Sequence, residues 1–148
     1  MNANVDDVMV PNVLTAMPHT SVEHAIDVMR TNNISALPVV DSEDQPVGMI
    51  TSSDLLKDYK PGTPVSRIMS EGCYTVPRYE GVHIAARIMR NHKIHHVVVT
   101  HEKKVAGIVS SFDLLKLVEG KRFVMKNAPT GSTRKGGKRK KSEAAAEA

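Results

Sequence analysis

The chain has 148 residues and a formal charge of +4, which is unevenly distributed: residues 121–148 hold nine basic and two acidic residues, or +7, so residues 1–120 carry −3. A globally basic nucleic-acid-binding domain would not separate its charge in this way. A single cysteine, Cys73, excludes an internal disulfide, and we recognise neither a signal peptide nor a membrane-spanning stretch, so we expect a cytoplasmic protein.

An internal repeat organises residues 1–120. Val5–Lys57 aligns with Val65–Lys116, with one deletion near Gln45, and many paired positions are identical. Such duplication indicates two copies of one supersecondary unit. We therefore predict a first repeat at 5–59, a linker at 60–64, a second repeat at 65–120 and a basic tail at 121–148.

The first copy begins with a short segment, Val13–Thr15, that favours a strand. Thr20 and Glu23 have the spacing of a capping box, which predicts the start of a helix. The apolar face of that helix is Val22, Ala25, Ile26 and Met29, at helical spacing. Two buried strands, Ala36–Val40 and Val47–Ile50, and a helix carrying Leu55 and Leu56 complete the copy.

The second copy repeats this order. A short strand near Tyr74–Val76 precedes a helix whose apolar stripe is Val82, Ala85, Ala86 and Met89. Strands at Val97–Val99 and Val105–Val109 follow, and a helix carries Leu114 and Leu115. The order β-α-β-β-α, twice, predicts an α/β (α+β) fold. Because one copy of about 55 residues is marginal alone, we expect the two to pack together.

The same heptad pattern ends the second long strand of both copies. Gly48–Asp54 reads Gly-Met-Ile-Thr-Ser-Ser-Asp, and Gly107–Asp113 reads Gly-Ile-Val-Ser-Ser-Phe-Asp. Thr51 and Asp54 have the spacing of a helix N-cap and its third residue, and capping alone explains both copies. A helix start also presents free backbone N–H groups that suit a phosphate, and an ionised Asp can accept hydrogen bonds from two hydroxyls.

The repeat, the element order and the two heptads resemble the cystathionine-β-synthase (CBS) domain pair, or Bateman module, over about Val5 to Gly120. Val8–Pro11 and Ile34–Asp41 are also similar to the family pattern. The second copy departs from it by lacking a proline after Met69 and by having Val98 where the first has Pro38. The resemblance implies two repeats packed with pseudo-two-fold symmetry.

The resemblance also implies an adenosyl ligand in the cleft between the repeats. It places Asp54 and Asp113 on ribose, with Thr51 and Ser110 near ribose or phosphate. Its adenine-facing positions are Val13, Thr15, Ala36 and Pro38 in the first copy, and Thr75, Pro77, His96 and Val98 in the second. Ordinary core packing is the alternative for the apolar members, and it is favoured for Val13 and Val98.

A cationic cluster precedes the third long strand. Lys93, His95 and His96 are similar to basic residues of the nucleotide-binding regulatory subunit of AMP-activated protein kinase. By that likeness they would reach the phosphates of a nucleotide held by Asp54. A solvated basic turn is the alternative. Histidines at 92, 95, 96 and 101 lack cysteine or acidic partners at zinc-like spacing, so we predict no metal site.

The leading hypothesis is a stand-alone, non-catalytic module that senses AMP, ADP or ATP as a regulatory ligand, with no required cofactor. Cys73 has no sequence partner for catalysis, and no Walker loop is present. The resemblance implies a homodimer shaped as a flat disc, and a downstream protein partner would read the bound state. An S-adenosylmethionine-type ligand is one alternative. The other is a dimeric scaffold whose basic tail binds nucleic acid.

The tail is the least structured part of the prediction. After Lys126 it is rich in Gly, Ser, Lys and Ala, so we expect disorder. The run Arg134–Lys141 would attract polyanions non-specifically, and a solubilising role is equally compatible with its composition.

Overall fold

The computed structural model describes residues 3–71 and 73–122. The α-helices are α1 (Val5–Val8), α2 (Val22–Thr31), α3 (Val82–His92) and α4 (Ser111–Leu114). The strands are β1 (Val10–Pro11), β2 (Ala36–Val40), β3 (Pro46–Thr51), β4 (Ser70–Glu71), β5 (Thr75–Pro77), β6 (His96–His101) and β7 (Lys104–Ser110). Short 3₁₀ helices occupy Ser52–Leu56, Val65–Arg67 and Leu115–Leu117. The predicted disorder of the tail beyond Arg122 lies outside the described residues.

Two sheets form the molecule, and each is built around the hairpin of one repeat. One sheet has the order β2-β3-β4 and the other β1-β7-β6-β5. The hairpins β2–β3 and β6–β7 are antiparallel, whereas β5 and β6 are parallel. Strand β1 precedes the first repeat's hairpin but pairs with β7, and β4 precedes the second repeat's hairpin but pairs with β3. The repeats therefore exchange their leading strands, as pseudo-two-fold symmetry requires.

The hydrophobic cores show the same exchange. The second repeat's core, which includes Val76 and Val97, contains Val5 from the start of the chain. The first repeat's core, which includes Ala25 and Ile50, contains Val65 from the start of the second copy. Each repeat thus completes its apolar core with the leading segment of the other.

The motif glycines make room for the exchanged segments. A Cβ added to Gly107 would lie 2.6 Å from the carbonyl oxygen of Val10 in β1. A Cβ added to Gly48 would lie 2.9 Å from the carbonyl oxygen of Ser70 in β4. Because these distances are shorter than van der Waals contact, only glycine lets the edge strand approach its partner.

The open faces of the two sheets meet in a third apolar cluster. Ala36 and Met49 from the first repeat pack with Val98 from the second, and Cys73, Val105 and Ile108 surround them. The amide of Val105 also donates to the carbonyl of Asp44 across the repeats, at 3.0 Å. The fold is thus the predicted α+β pair of repeats.

The predicted stripes of α2 and α3 are confirmed, but two local predictions were wrong. Helix α2 is capped by Ser21, whose hydroxyl accepts from the amide of His24 at 3.1 Å; Thr20 instead accepts from the amide of Met17. The carboxylate of Glu23 accepts from the amide of Gly62 in the linker, so it forms no capping box.

The second wrong prediction concerns the start of the first repeat, whereas the closing helices stand where they were predicted but are short. Residues 13–15 form no strand, because their segment meets the sheet only at a bridge between Ala16 and Val39. The helix after β3 is a five-residue 3₁₀ helix, and its counterpart is four α-helical residues followed by a 3₁₀ turn. Helices this short have only a small helix dipole with which to attract a phosphate.

Candidate functional site

The first heptad places a buried carboxylate just after the end of β3. Asp54 is only 6% exposed. Its Oδ2 accepts from the Thr51 amide at 2.8 Å and from the Thr51 hydroxyl at 3.1 Å. Its Oδ1 faces the ammonium of Lys57 at 3.3 Å. The predicted cap is therefore present. It occupies one carboxylate oxygen of Asp54, and the other oxygen faces Lys57.

The second heptad repeats this arrangement at the end of β7. Asp113 is 8% exposed, and its Oδ2 accepts from the amide and the hydroxyl of Ser110, both at 2.9 Å. The Ser110 hydroxyl in turn accepts from the Asp113 amide at 3.1 Å. Asp113 Oδ1 lies 3.6 Å from the ammonium of Lys116. The two carboxylates thus have equivalent surroundings. We call the pair Asp54 with Thr51 and the pair Asp113 with Ser110 the two seats.

The adenine-facing positions are distributed unequally. Ala36, Pro38 and Val98 are buried. Ala36 and Val98 belong to the same apolar cluster, at the junction of the sheets. Thr75 and Pro77 are exposed and line a cavity of 640 Å³ with Tyr79 and His101. A second cavity, of 500 Å³, is lined by Val13 and Thr15 among others.

Neither of these two cavities is lined by a seat residue. Both include His101, at the end of β6, whereas Ser110 of the second seat pairs with His96, at its beginning. At about 3.3 Å per residue, the two ends of β6 are about 16 Å apart. Thr75, which pairs with Val98, lies between them. The cavities therefore lie toward the hairpin-turn end of the sheet and the seats at the opposite end.

The predicted cationic cluster lies beside the second seat. The carbonyl oxygen of His95 accepts from the Ser111 amide at 2.9 Å, and His95 Nδ1 is 3.4 Å from the Ser111 hydroxyl. His96 pairs with Ser110, and Lys93 is exposed in a left-handed conformation at the end of α3. No contact among the described residues joins these side chains to Asp54. That they serve a nucleotide held by Asp54 stays a prediction.

Burial governs the electrostatics of His96. Desolvation lowers the pKa of its imidazole from 6.5, and the neighbouring His95 lowers that pKa further. The Asp113 carboxylate acts in the opposite direction, which places His96 within electrostatic reach of the second seat. A neutral imidazole at neutral pH is the consequence, and an anion bound nearby would favour its protonation.

Two neighbouring groups have other surroundings. The His92 ring stacks on Tyr74, with ring centroids 4.0 Å apart. Burial raises the pKa of the Cys73 thiol, against a smaller opposing effect of a backbone hydrogen bond. A raised pKa leaves less of the nucleophilic thiolate at neutral pH.

The sequence interpretation missed Lys57 and Lys116. Both follow a seat aspartate by three residues, and the pair is identical in the two copies. The recurrence was visible in the sequence, but lysines are normally solvated, so the pattern gave no reason to place them against a carboxylate. The contacts to Asp54 and Asp113 supply that reason.

Neither a metal-binding cluster nor a membrane-spanning helix is found among the described residues. Residues 3–71 and 73–122 contain no group of three or more His, Cys, Asp or Glu side chains arranged to hold a metal ion. Within the same part of the chain, no helix has the length and apolar character needed to cross a membrane.

Solved structures with this fold include two adenosyl complexes. The CBS domain pair of protein MJ0100, in complex with 5′-methylthioadenosine and S-adenosyl-L-methionine, has a TM-score of 0.73 at 30% identity, covering 81% of this chain and 98% of that one. CBSX2 in complex with AMP has a TM-score of 0.71 at 25% identity, covering 78% and 96%.

Several of the curated relatives are longer proteins. The chain is 35% identical over 112 residues to the inosine-5′-monophosphate dehydrogenase of Aquifex aeolicus, covering 73% of this chain and 23% of that enzyme. The chain spans between 23% and 32% of the length of four of these relatives. The family model for the CBS domain matches residues 5–60 and 65–120. With both repeats matched, and with the fold of solved CBS pairs, this chain belongs to the CBS domain family.

Proposed function

We propose that the two repeats form a regulatory module that binds an adenine nucleotide (AMP, ADP or ATP) in the cleft between them. The observation that carries the proposal is the pair of seats, in which a nearly buried aspartate keeps one oxygen clear of its own cap. The AMP complex of CBSX2 supports the choice of ligand class. We further propose that the module is a binding protein rather than an enzyme, and that it acts in the cytoplasm.

The seats suggest how ribose would be held. In each seat, Oδ2 already accepts two hydrogen bonds from the cap, so a ligand hydroxyl must use Oδ1. The Ser110 hydroxyl oxygen retains acceptor capacity for a second ligand hydroxyl, whereas the Thr51 oxygen must release the Ser53 hydroxyl, 3.0 Å away, to accept one. A vicinal diol therefore fits each seat by bridging a carboxylate oxygen and a hydroxyl, without displacing the cap.

Base and phosphate would lie on either side of the diol. We assign the base to the predicted adenine-facing positions, of which Thr75 and Val98 lie along the sheet from Asp113. His95 and His96 lie beside Ser110 and Ser111, which favours a phosphate at the second seat, whereas the sequence predicts one at the first. Lys93, exposed at the end of α3, would extend the cationic surface.

Regulation would operate through the relative orientation of the repeats. Ala36 and Val98, from different repeats, pack in the cluster between the sheets, next to the proposed base position. A ligand that contacts both repeats favours the orientation in which both contacts form. A downstream protein would then distinguish the two orientations.

Calorimetric titration with AMP, ATP and S-adenosylmethionine tests the proposal. The variants are Asp54→Asn and Asp113→Asn, because an amide oxygen can still accept from the Thr51 or Ser110 amide while the charge is lost. We expect each variant to abolish or weaken binding by at least tenfold at one seat. Equal thermal stability of the variants excludes unfolding as the cause. If neither variant weakens any ligand that the parent protein binds, the seat assignment is wrong.

The same titration places the phosphates. If His95 and His96 serve a nucleotide at Asp54, then His95→Ala with His96→Ala loses its effect in the Asp54→Asn background but keeps it in the Asp113→Asn background. The opposite pattern assigns the cluster to Asp113. Non-additivity of this kind identifies groups that act on one ligand.

An S-adenosylmethionine-type ligand is the second candidate, because the MJ0100 pair is seen with S-adenosyl-L-methionine and 5′-methylthioadenosine. The seats suit any adenosine with a free ribose diol. This candidate leaves the cationic cluster without an anionic partner. Tighter binding of S-adenosylmethionine than of AMP and ATP would favour it.

We also propose that a second copy of the chain covers the short helices that end the two repeats, Ser52–Leu56 in the first and Ser111–Leu114 with Leu115–Leu117 in the second. Leu56, Phe112 and Leu115 are 85%, 76% and 55% exposed, and Leu56 and Leu115 are equivalent positions of the repeat. A self-complementary surface of this kind suits a two-fold interface. Light scattering after size exclusion should give twice the chain mass, reduced to a monomer by Phe112→Ser with Leu56→Ser. Tyr79→Ser, at another exposed aromatic, is the control.

A further inference from the structure

Each seat carries its own cation. The ammonium of Lys57 lies 3.3 Å from Asp54 Oδ1, and that of Lys116 lies 3.6 Å from Asp113 Oδ1. The lysine side chains are 54% and 56% exposed, whereas the carboxylates are 8% and 11% exposed. Both half-exposed ammonium groups therefore stand between a nearly buried carboxylate and solvent.

The lysine contacts the one carboxylate oxygen that the cap leaves to a ligand. Oδ2 of Asp54 and of Asp113 accepts from a backbone amide and a hydroxyl. A ligand hydroxyl must therefore share Oδ1 with the ammonium. A neutral ligand gives the ammonium nothing in return, whereas an anionic group beside the ribose offers it a second acceptor.

We propose that Lys57 and Lys116 are specificity-determining residues that make the seats prefer ligands with an anionic group beside the ribose over neutral or cationic adenosyl ligands. This inference rests on the proposed function, since it concerns the same seats. The lysine bridges the carboxylate and a ligand phosphate, and it repels a cationic centre, such as a sulfonium, at the same position.

The two lysines differ in how firmly they are held. The Lys57 ammonium also donates to the carbonyl of Ile68 at 3.0 Å, across the linker between the repeats. Among the described residues, Lys116 has its ion pair with Asp113 and no second tether of this kind. Since less side-chain entropy remains to be lost by a tethered group, Lys57 should discriminate more strongly than Lys116.

The experiment compares three ligands that differ in charge next to the ribose: AMP is anionic, 5′-methylthioadenosine is neutral and S-adenosylmethionine is a sulfonium cation. Calorimetry is done on Lys57→Met in the Asp113→Asn background, which isolates the first seat, and on Lys116→Met in the Asp54→Asn background. Arg87→Met, which removes a charge from the exposed face of α3, is the matched control.

We expect Lys57→Met to weaken AMP about fivefold, the size expected of one half-exposed ion pair. Affinity for 5′-methylthioadenosine should change less than twofold, and affinity for S-adenosylmethionine should rise. Equal losses for all three ligands would assign the lysine a purely structural role, and no change for any of them would remove it from the seat. If the parent protein binds none of AMP, ADP and ATP, the proposed function itself fails.

Discussion

Replacing Val5 with alanine tests the exchange of leading segments. Val5 is fully buried, in the core that contains Val76 and Val97 of the second repeat. The substitution removes two methyl-sized groups at about 0.8 kcal/mol each, and incomplete closure of the cavity adds to that, for a loss of about 2 kcal/mol. For a folded unit the size of residues 3–122, we expect the melting temperature to fall by about 8 °C.

Hydrogen exchange by mass spectrometry shows where the loss is felt. Although Val5 precedes the first repeat's hairpin, we expect faster exchange in β6 and β7, which form the second core. Val10→Ala, at a 45% exposed position, is the matched control and should change stability by less than about 0.5 kcal/mol. Faster hydrogen exchange confined to β2 and β3, or no loss of stability, would refute the exchange of leading segments between the repeats.

Three further outcomes follow from single contacts. Gly107→Ala should cost about 1–3 kcal/mol in urea unfolding, because its Cβ would meet the Val10 carbonyl; a neutral result would mean that β1 can shift. Burial lowers the pKa of His96, so as the pH falls the unfolded chain binds a proton at this imidazole before the folded chain does. The free energy of unfolding is therefore unaffected by His96 above pH 6.5 and decreases below it, by at most about 1.4 kcal/mol per pH unit. His96→Gln should flatten that part of the stability–pH curve. Asp6→Asn should cost no more than about 1 kcal/mol, because its 2.7 Å pair with Arg78 is about one-third exposed; a cycle with Arg78→Met measures the coupling.

Local patterns in the sequence predicted most of the secondary structure. The stripe of α2 is visible because helical spacing places Val22, Ala25 and Met29 on one face, and these residues are buried. The cap was misplaced by one residue because Thr20 and Ser21 both have hydroxyls, and only the path of the chain before the helix decides which one accepts. Residues 13–15 have the composition of a strand but lack a continuous partner, which composition does not reveal.

The exchange of leading segments could not be read from the sequence. Val5 and Val65 are the same residue at equivalent positions of the two copies, so the sequence does not distinguish the core that each one enters. Which core they enter depends on the direction of the chain between Met9 and α2, and between Met69 and α3. Predicted boundaries at 5–59 and 65–120 therefore describe the sequence repeat, whereas each packed core draws on both copies.

The candidate site shows why a capping motif and a binding motif look alike in sequence. Both require a hydroxyl and, three residues later, a carboxylate, and the structure shows that Asp54 forms the cap. The two roles are compatible because a carboxylate has two oxygens and the cap engages only Oδ2. What decides between a cap alone and a cap with a ligand is therefore the environment of Oδ1. In both copies, a lysine three residues after the aspartate lies next to this oxygen. The two copies therefore share a third side chain, Lys57 or Lys116, that capping does not require.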